Sequence, residues 1–401
     1  MTAASTLKFI TSRLVPSRLA GKSDAPIQPQ APDQHVQDDH EEYSLPLRPV
    51  TFPKILPYHQ HALDSQGWTT ITYDTPTDKL HETSQALFRA SQAFFDLPRE
   101  YKETFKTEIG SEEGWSRIEG EKEFITLRCF RSTPKELKDA AAVYWAEAGK
   151  LLNEILGRIA ESLGLPAEAL TVYSEPCTKL PVEKTATILR LFRYEGFEGK
   201  ESKTVAERKS DPFTFFHMLR FALTRMLLAH RDLGLLSLVN GDTPGLEVWD
   251  RHAQKYFQIE RTYERPAGSL IVGRQLERLS NCRYLAGGHQ VRSYPDPPLQ
   301  PDLETITEKP RRGYRFSIVF VLRAHSPIDV DTDMLTTPIT GKFQHPLKGI
   351  KAQELFRDIQ RSHFNINMQI QEREEQRRHL AKKKKQSASP LPPESQSKKV
   401  T

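Results

Sequence analysis

The sequence predicts an α+β fold: a β-sandwich or barrel core with a helical layer packed on it and a further helix towards the C-terminal end. Three observations predict it. Helix-period apolar stripes dominate up to about residue 182. Short runs rich in Val, Ile, Leu, Phe and Tyr, parted by turn residues, dominate from 183 to 330. A charged stretch of helical period follows over 349–379.

Residues 1–44 open the chain as an expected disordered tail, since 24–44 is rich in Pro, Gln, Asp and His and poor in large apolar side chains. Lys8, Arg13, Arg18 and Lys22 precede the first acidic residue, Asp24, which leaves a mitochondrial leader as the alternative. In GWTTITYD, Trp68, Ile71 and Tyr73 alternate with polar residues and read as a strand. Thr75-Pro76 is expected to open a helix, with Thr as cap and Pro at the first position. Its apolar face is Leu80, Leu87, Phe94 and Phe95, and Leu97-Pro98 ends it. Thr133-Pro134 opens a second helix, striped by Tyr144, Leu151, Leu152, Ile155, Ile159 and Leu163 and stopped by Gly164 and Pro166. Residues 45–182 thus form a mostly helical region with a few strands.

Six strand candidates follow in 183–330: ATILRLFRY (186–194), LGLLSLV (233–239), LEVWD (246–250), YFQIERTY (256–263), SLIVG (269–273) and YRFSIVFVLR (314–323). Asn240-Gly241-Asp242, Pro244-Gly245 and Pro266-Ala267-Gly268 supply turns between them. Residues 331–401 are expected to hold a helix and a disordered basic tail with Lys382 to Lys385, a nuclear-localisation or nucleic-acid patch being the alternative.

Composition narrows the function. Hydrophobic residues make up 37%, enough for a real core. A net charge of +5 over 401 residues is too mild to argue for nucleic acid. Cys129, Cys177 and Cys282 form no C-x-x-C pair, which argues against a disulfide framework or structural zinc and fits a reducing compartment. The most apolar stretch, 213–228, is broken by His217, Arg220 and Arg225, so no membrane span is expected. A cytoplasmic protein is the expectation, and no protein partner is predicted.

Three groups of residues carry chemistry. In His230-Arg231-Asp232, a strand would aim the imidazole and the carboxylate the same way. That suits two ligands of a two-His, one-carboxylate iron site. His289 in AGGHQV is the natural third ligand, with His252 and His325 as rivals. Arg315, Ser317, Val319 and Val321 share one face of the last strand. An Arg on so apolar a strand needs an anion, either a bound carboxylate or a protein Asp or Glu.

The order of these pieces, with HRDLGLLSLVNGDTPGLEVWD, PAGSLIVGRQLERLSNCRYLAGGHQVR and RRGYRFSIVFVLRAH, resembles the isopenicillin N synthase-like group of iron(II)/2-oxoglutarate dioxygenases, especially the fungal members. GWTTITYD and GWSRIEGEKEFITLR extend the resemblance to roughly residues 46–330. It implies a double-stranded β-helix (jelly-roll) core with iron at its mouth. His230, Asp232 and His289 fall on the metal positions, and Arg315 and Ser317 on those gripping 2-oxoglutarate. Tyr194 lies near a co-substrate-contacting tyrosine, and Arg128 near substrate or in a core strand. No catalytic residue is expected beyond the metal site. The implied activity uses Fe(2+), 2-oxoglutarate and O2 to hydroxylate, desaturate or ring-close a small organic molecule, possible in secondary metabolism. An iron oxidase not using 2-oxoglutarate, or a dead binding scaffold, is the alternative.

Two departures stand out. A Pro-rich loop with YPDPPLQPD separates His289 from Arg315. More consequential is RKSDPFTFFHMLRFALTRMLLA (208–229), which parts Val205-Ala206-Glu207 from His230. It reads either as an amphipathic lid helix or as a translated intron. In the second case, the codons for Arg208-Lys209-Ser210 can contain a donor-like GTAAGT.

Overall fold

The structure, a computed structural model, describes residues 45–195, 230–292 and 313–379, apart from Asp74, Pro76, Ser362, Phe364, Ile370, Glu374 and Arg377. All lie in the second of the two units into which the chain divides, Asp39–Thr401. The expected N-terminal tail, the insert 208–229, the loop carrying YPDPPLQPD and the basic tail fall outside the described residues.

The first described region supplies helices α1 (Ala62–Ser65), α2 (Lys79–Phe95), α3 (Arg99–Glu103), α4 (Lys135–Ser162) and α5 (Glu168–Thr171), and strands β1 (Trp68–Thr72), β2 (Gly114–Ile118) and β3 (Lys122–Leu127). Then come β4 (Ile188–Tyr194), β5 (Leu236–Gly241), β6 (Leu246–Asp250), β7 (Lys255–Phe257), β8 (Ala267–Val272), α6 (Arg274–Leu279), β9 (His289–Val291) and β10 (Arg315–Leu322). A short hairpin of β11 (Asp329–Val330) and β12 (Ile350–Lys351) leads into α7 (Ala352–Arg361).

Three expectations need correction. Helix α2 starts at Lys79, capped by Asp78, whose carboxylate accepts from the Leu80 N–H at 3.0 Å. A carboxylate two residues before a free helix N–H out-competes the hydroxyl of Thr75. Helix α4 starts one residue late, because the Thr133 hydroxyl donates back to the Cys129 carbonyl at 2.8 Å instead of capping. The run 256–263 is not one strand. After β7 the chain turns into a 3-10 helix, Ile259–Thr262, which buries Ile259 and aims Glu260 inward.

The strands form a seven-stranded antiparallel sheet in the order β1-β8-β5-β10-β4-β3-β2, and a three-stranded sheet β7-β6-β9. The large sheet therefore draws on both sides of the expected boundary near residue 183. Its two faces follow the period of two. Leu189, Leu191, Leu236, Leu238, Ile318, Phe320 and Leu322 face the helical layer and share a core with Leu87 and Phe94 of α2 and Tyr144, Trp145 and Leu152 of α4. Trp145 meets Phe320 edge to face at 5.1 Å. Each such fully buried side chain contributes about 1.5–3 kcal/mol. The opposite, inner face packs Val239 and Ile271 against Leu246 and Val248 of the small sheet. Among the described residues, no helix is long and apolar enough to cross a membrane.

Candidate metal centre

The inner face carries the chemistry. Strand β10 sits between β5 and β4, so Arg315, Ser317, Val319 and Val321 lie beside Tyr194, Phe192, Arg190 and Ile188 in register. On the far side of β4, Lys122, Phe124 and Thr126 of β3 continue the same face.

His230 is not inside a strand. It forms a single bridge with His289, each backbone N–H donating to the other's carbonyl at 3.0 Å, before the chain bends and enters β5. That one bridge is enough to bring the predicted three residues together. The ligand atoms of His230, Asp232 and His289 lie within 4.8 Å of one another. His230 Nε2 is 3.5 Å from one Asp232 oxygen and His289 Nε2 is 3.8 Å from the other. The rivals stay away from this cluster: His252 is exposed in a turn, and His325 donates its backbone N–H to the Tyr173 carbonyl.

The electrostatics favour a cation here. Burial by itself would raise the Asp232 carboxyl, but His289 and His230 beside it more than offset this and hold it far below the usual carboxylate range. One oxygen of this ionised group, Oδ2, is buried with no hydrogen-bond partner. Burial and the neighbouring His230 push the His289 imidazole down to about 4, so it is neutral at neutral pH. Its Nδ1 lies 3.3 Å from the Gly287 carbonyl, an acceptor only. The proton therefore sits on Nδ1 and the Nε2 lone pair faces Asp232. Gly287 and Gly288 serve close backbone packing: a Cβ on Gly287 would collide with the Gly67 carbonyl, and one on Gly288 would come within 3.1 Å of Trp249.

At the other end of β10, Arg315 is already partnered. Its Nη2 donates to both oxygens of Glu260 at 3.1 and 2.9 Å, its Nε to the Thr243 carbonyl at 2.9 Å, and its Nη1 to the Ser317 hydroxyl. Glu260 in turn accepts from the N–H groups of Gly245 and Leu246, each at 2.7 Å. Arg315 and Glu260 are both under a tenth exposed. Glycines make the room: a Cβ on Gly241 would meet Glu260 and Arg315, and one on Gly245 would meet Arg315. The Arg315 guanidinium also lies 5.4 Å from the Tyr194 ring.

Several groups escaped the sequence reading. Glu260 was hidden because its run looked like a strand. Arg190 could have been found, since it stands four residues before Tyr194 on the same face. Lys122 is buried among Phe124, Phe192 and Tyr194 at 5.4–5.9 Å, hydrogen-bonded to Asn367 at 3.0 Å. Asn367 belongs to a C-terminal segment that also holds the β2–β3 hairpin through Gln369 to the Arg117 carbonyl at 2.9 Å and Arg373 to Glu121 at 2.6 Å. His363, at the start of that segment, is pushed down to about 3 by burial and then by His230. Arg128 donates to the Thr185 carbonyl at 2.8 Å.

No protein-family model matches the chain, and no curated protein does. Solved structures match its fold. A Neurospora crassa protein in complex with alpha-KG and 5-formyluracil is 18% identical, with a TM-score of 0.54 over 75% of this chain and 87% of its own. The same protein with alpha-KG and thymine gives 17%, 0.53, 76% and 89%. A Caulobacter crescentus protein described as of the 2OG-Fe(II) oxygenase family gives 20%, 0.52, 75% and 92%. At these identities the likeness is one of fold.

Proposed function

We propose that this chain is an iron(II)- and 2-oxoglutarate-dependent oxygenase of the isopenicillin N synthase-like type, acting on a small organic molecule. Residues 183–330 form its jelly-roll core, 45–182 its helical and mixed layer, and 331–401 a C-terminal helix and tail. The observation that carries the reading is the ionised Asp232 carboxylate, its Oδ2 without a hydrogen-bond partner, between two imidazole Nε2 atoms. Donors 3.5 and 3.8 Å apart lie within reach of one shared ion with bonds of roughly 2.0–2.2 Å. Two histidines and one carboxylate are the donor set of non-haem iron(II). The fold neighbours, one solved in complex with alpha-KG and one described as of the 2OG-Fe(II) oxygenase family, support the same reading.

Bound iron with 2-oxoglutarate and O2 would supply oxidation coupled to decarboxylation of the co-substrate. His230, Asp232 and His289 would hold the metal, with the Gly287 carbonyl fixing the His289 tautomer. Arg315 and Ser317 would hold the far carboxylate of 2-oxoglutarate through one remaining Nη1 N–H and the Ser317 hydroxyl, and Tyr194 would add its own hydroxyl. Glu260 locks the other edge of the Arg315 fork and orients it. Val239 and Val319 would line the site and exclude water.

The pairing of Arg315 with Glu260 favours a second reading, an iron oxidase that does not use 2-oxoglutarate. Anaerobic iron(II) titration with 2-oxoglutarate present decides between them. A visible charge-transfer band at one iron per chain, lost in His230→Ala and Arg315→Ala, is expected. Iron binding without that band, and no succinate on turnover, would favour the oxidase. No iron binding at all would mean a scaffold.

A further inference from the structure

The geometry points to a primary substrate that carries a carboxylate, with Arg190 as the residue that grips it; this rests on the oxygenase reading above. Arg190 stands in the middle of β4 on the inner face, in register with Thr126 and Val319. Its Nε donates to the Thr126 hydroxyl at 2.7 Å, and its guanidinium lies 5.6 Å from the Phe124 ring. These two contacts orient the side chain and use one of its five N–H groups.

Among the described residues no carboxylate pairs with it directly, and Glu112 and Asp232 act on it only from a distance. Arg128 and Arg323 stand just past the ends of β3 and β10, and with Arg190 all three act on the carboxylate of Glu112. Arg323 takes that carboxylate as a fork, at 2.6 and 3.1 Å. Arg128 is spent on a carbonyl, and Arg190 makes no salt bridge among the described residues. The contrast with Arg315 is direct. Arg315 is neutralised by Glu260 and Arg323 by Glu112, whereas Arg190 is held ready with no ion pair among the described residues. A half-buried guanidinium without an anion is costly, and a planar carboxylate fits its fork with two parallel hydrogen bonds. β5, which follows Asp232, begins opposite Leu322, and Arg190, opposite Val319, stands nearer that end of β10 than Tyr194, opposite Arg315, which puts it on the metal side of the face. An acid held there lays its body along Phe192 and Val319, towards the metal centre.

The test uses the full chain loaded with Zn(II), a redox-inert stand-in, and 2-oxoglutarate. Saturation-transfer NMR would be read for phenylacetate, cinnamate and hexanoate, each beside its primary amide. Acids are expected to bind about ten- to hundredfold tighter than amides, the range of a charged hydrogen-bonded pair. Arg190→Gln should bring acids down to the level of amides, with Arg190→Lys between, while calorimetric 2-oxoglutarate affinity stays unchanged. Equal binding of acids and amides, or no binding of either, would overturn the proposal. So would a loss of 2-oxoglutarate affinity in Arg190→Gln that matches the loss of acids, since Arg190 would then serve the co-substrate. Failure of wild type to bind 2-oxoglutarate with metal would instead refute the oxygenase reading.

Discussion

Replacing Glu260 by Gln should cost more than any nearby surface change. The carboxylate makes four hydrogen bonds, two to Arg315 Nη2 and one each to the Gly245 and Leu246 N–H groups. An amide offers one acceptor and two donors. If its oxygen stays at the Oε2 place, keeping Gly245, Leu246 and one contact to Arg315 Nη2, its NH2 takes the Oε1 place and meets Nη2 donor against donor, and no negative charge remains. The guanidinium, 5% exposed, is then buried and uncompensated. Removing one partner of such a pair costs about 3–5 kcal/mol, a fall in Tm of roughly 5–15 °C. Calorimetry or circular dichroism on the metal-free chain measures it. Arg315→Met in the Glu260→Gln background should recover most of the loss, because the remaining amide still serves Gly245 and Leu246. A ligand signature follows too. An incoming 2-oxoglutarate carboxylate supplies the missing charge, so the co-substrate should raise the Tm of Glu260→Gln by more than it raises wild type. The reasoning is refuted if Glu260→Gln melts within about 0.5 kcal/mol of wild type, or if the double variant is no better than the single.

Lys122 predicts a pH profile. Burial, its largest influence, pushes the ammonium down to about 7 from 10.5. The folded state therefore resists its charge: the penalty is full below pH 7, and stability rises as pH climbs from 7 towards 10.5. In Lys122→Met that rise should vanish and denaturant midpoints below pH 7 should increase; an unaltered profile would contradict the assignment. Gly245→Ala places a methyl on the Arg315 side chain and should destabilise by about 1–3 kcal/mol, whereas Gly313→Ala, where a Cβ meets nothing within 4 Å, should change the midpoint little. Deleting 208–229 joins Glu207 to His230. If the segment is a translated intron, the shortened chain should bind iron(II) at least as tightly as the full one, and transcript reads should skip it; continuous reads with weaker binding would favour a lid.

Much of this was readable in the sequence because it is local. The period of two over Arg315, Ser317, Val319 and Val321 is a backbone property, and the structure keeps that face intact. LEVWD became β6 residue for residue, since turn residues bound it on both sides. What could not be read depends on distant partners. Whether Arg315 meets a ligand or a protein carboxylate is decided by a 3-10 turn 55 residues earlier, and β-rich composition around Glu260 masked that turn. Thr75 lost the cap of α2 to Asp78 because both are competent and only the chain's path from β1 selects between them. His-x-Asp was expected on a strand, yet one bridge to His289 suffices, and no propensity distinguishes a bridge from a ladder.

The strand order has a consequence for biosynthesis. The strand at the centre of the large sheet, β10, is the last of the seven to be made, and it separates β5 from β4. β1 likewise waits for β8, with Trp68 opposite Ile271. Such long sequence separations make folding slow, because loop closure must precede any gain from pairing. On the ribosome, helices α2 and α4 can form early, but their apolar stripes have no sheet to cover them until Leu322 emerges. The nascent chain therefore spends most of its synthesis with unpaired strand edges exposed, and its yield in a cell should respond to chaperone supply more steeply than its final stability would imply.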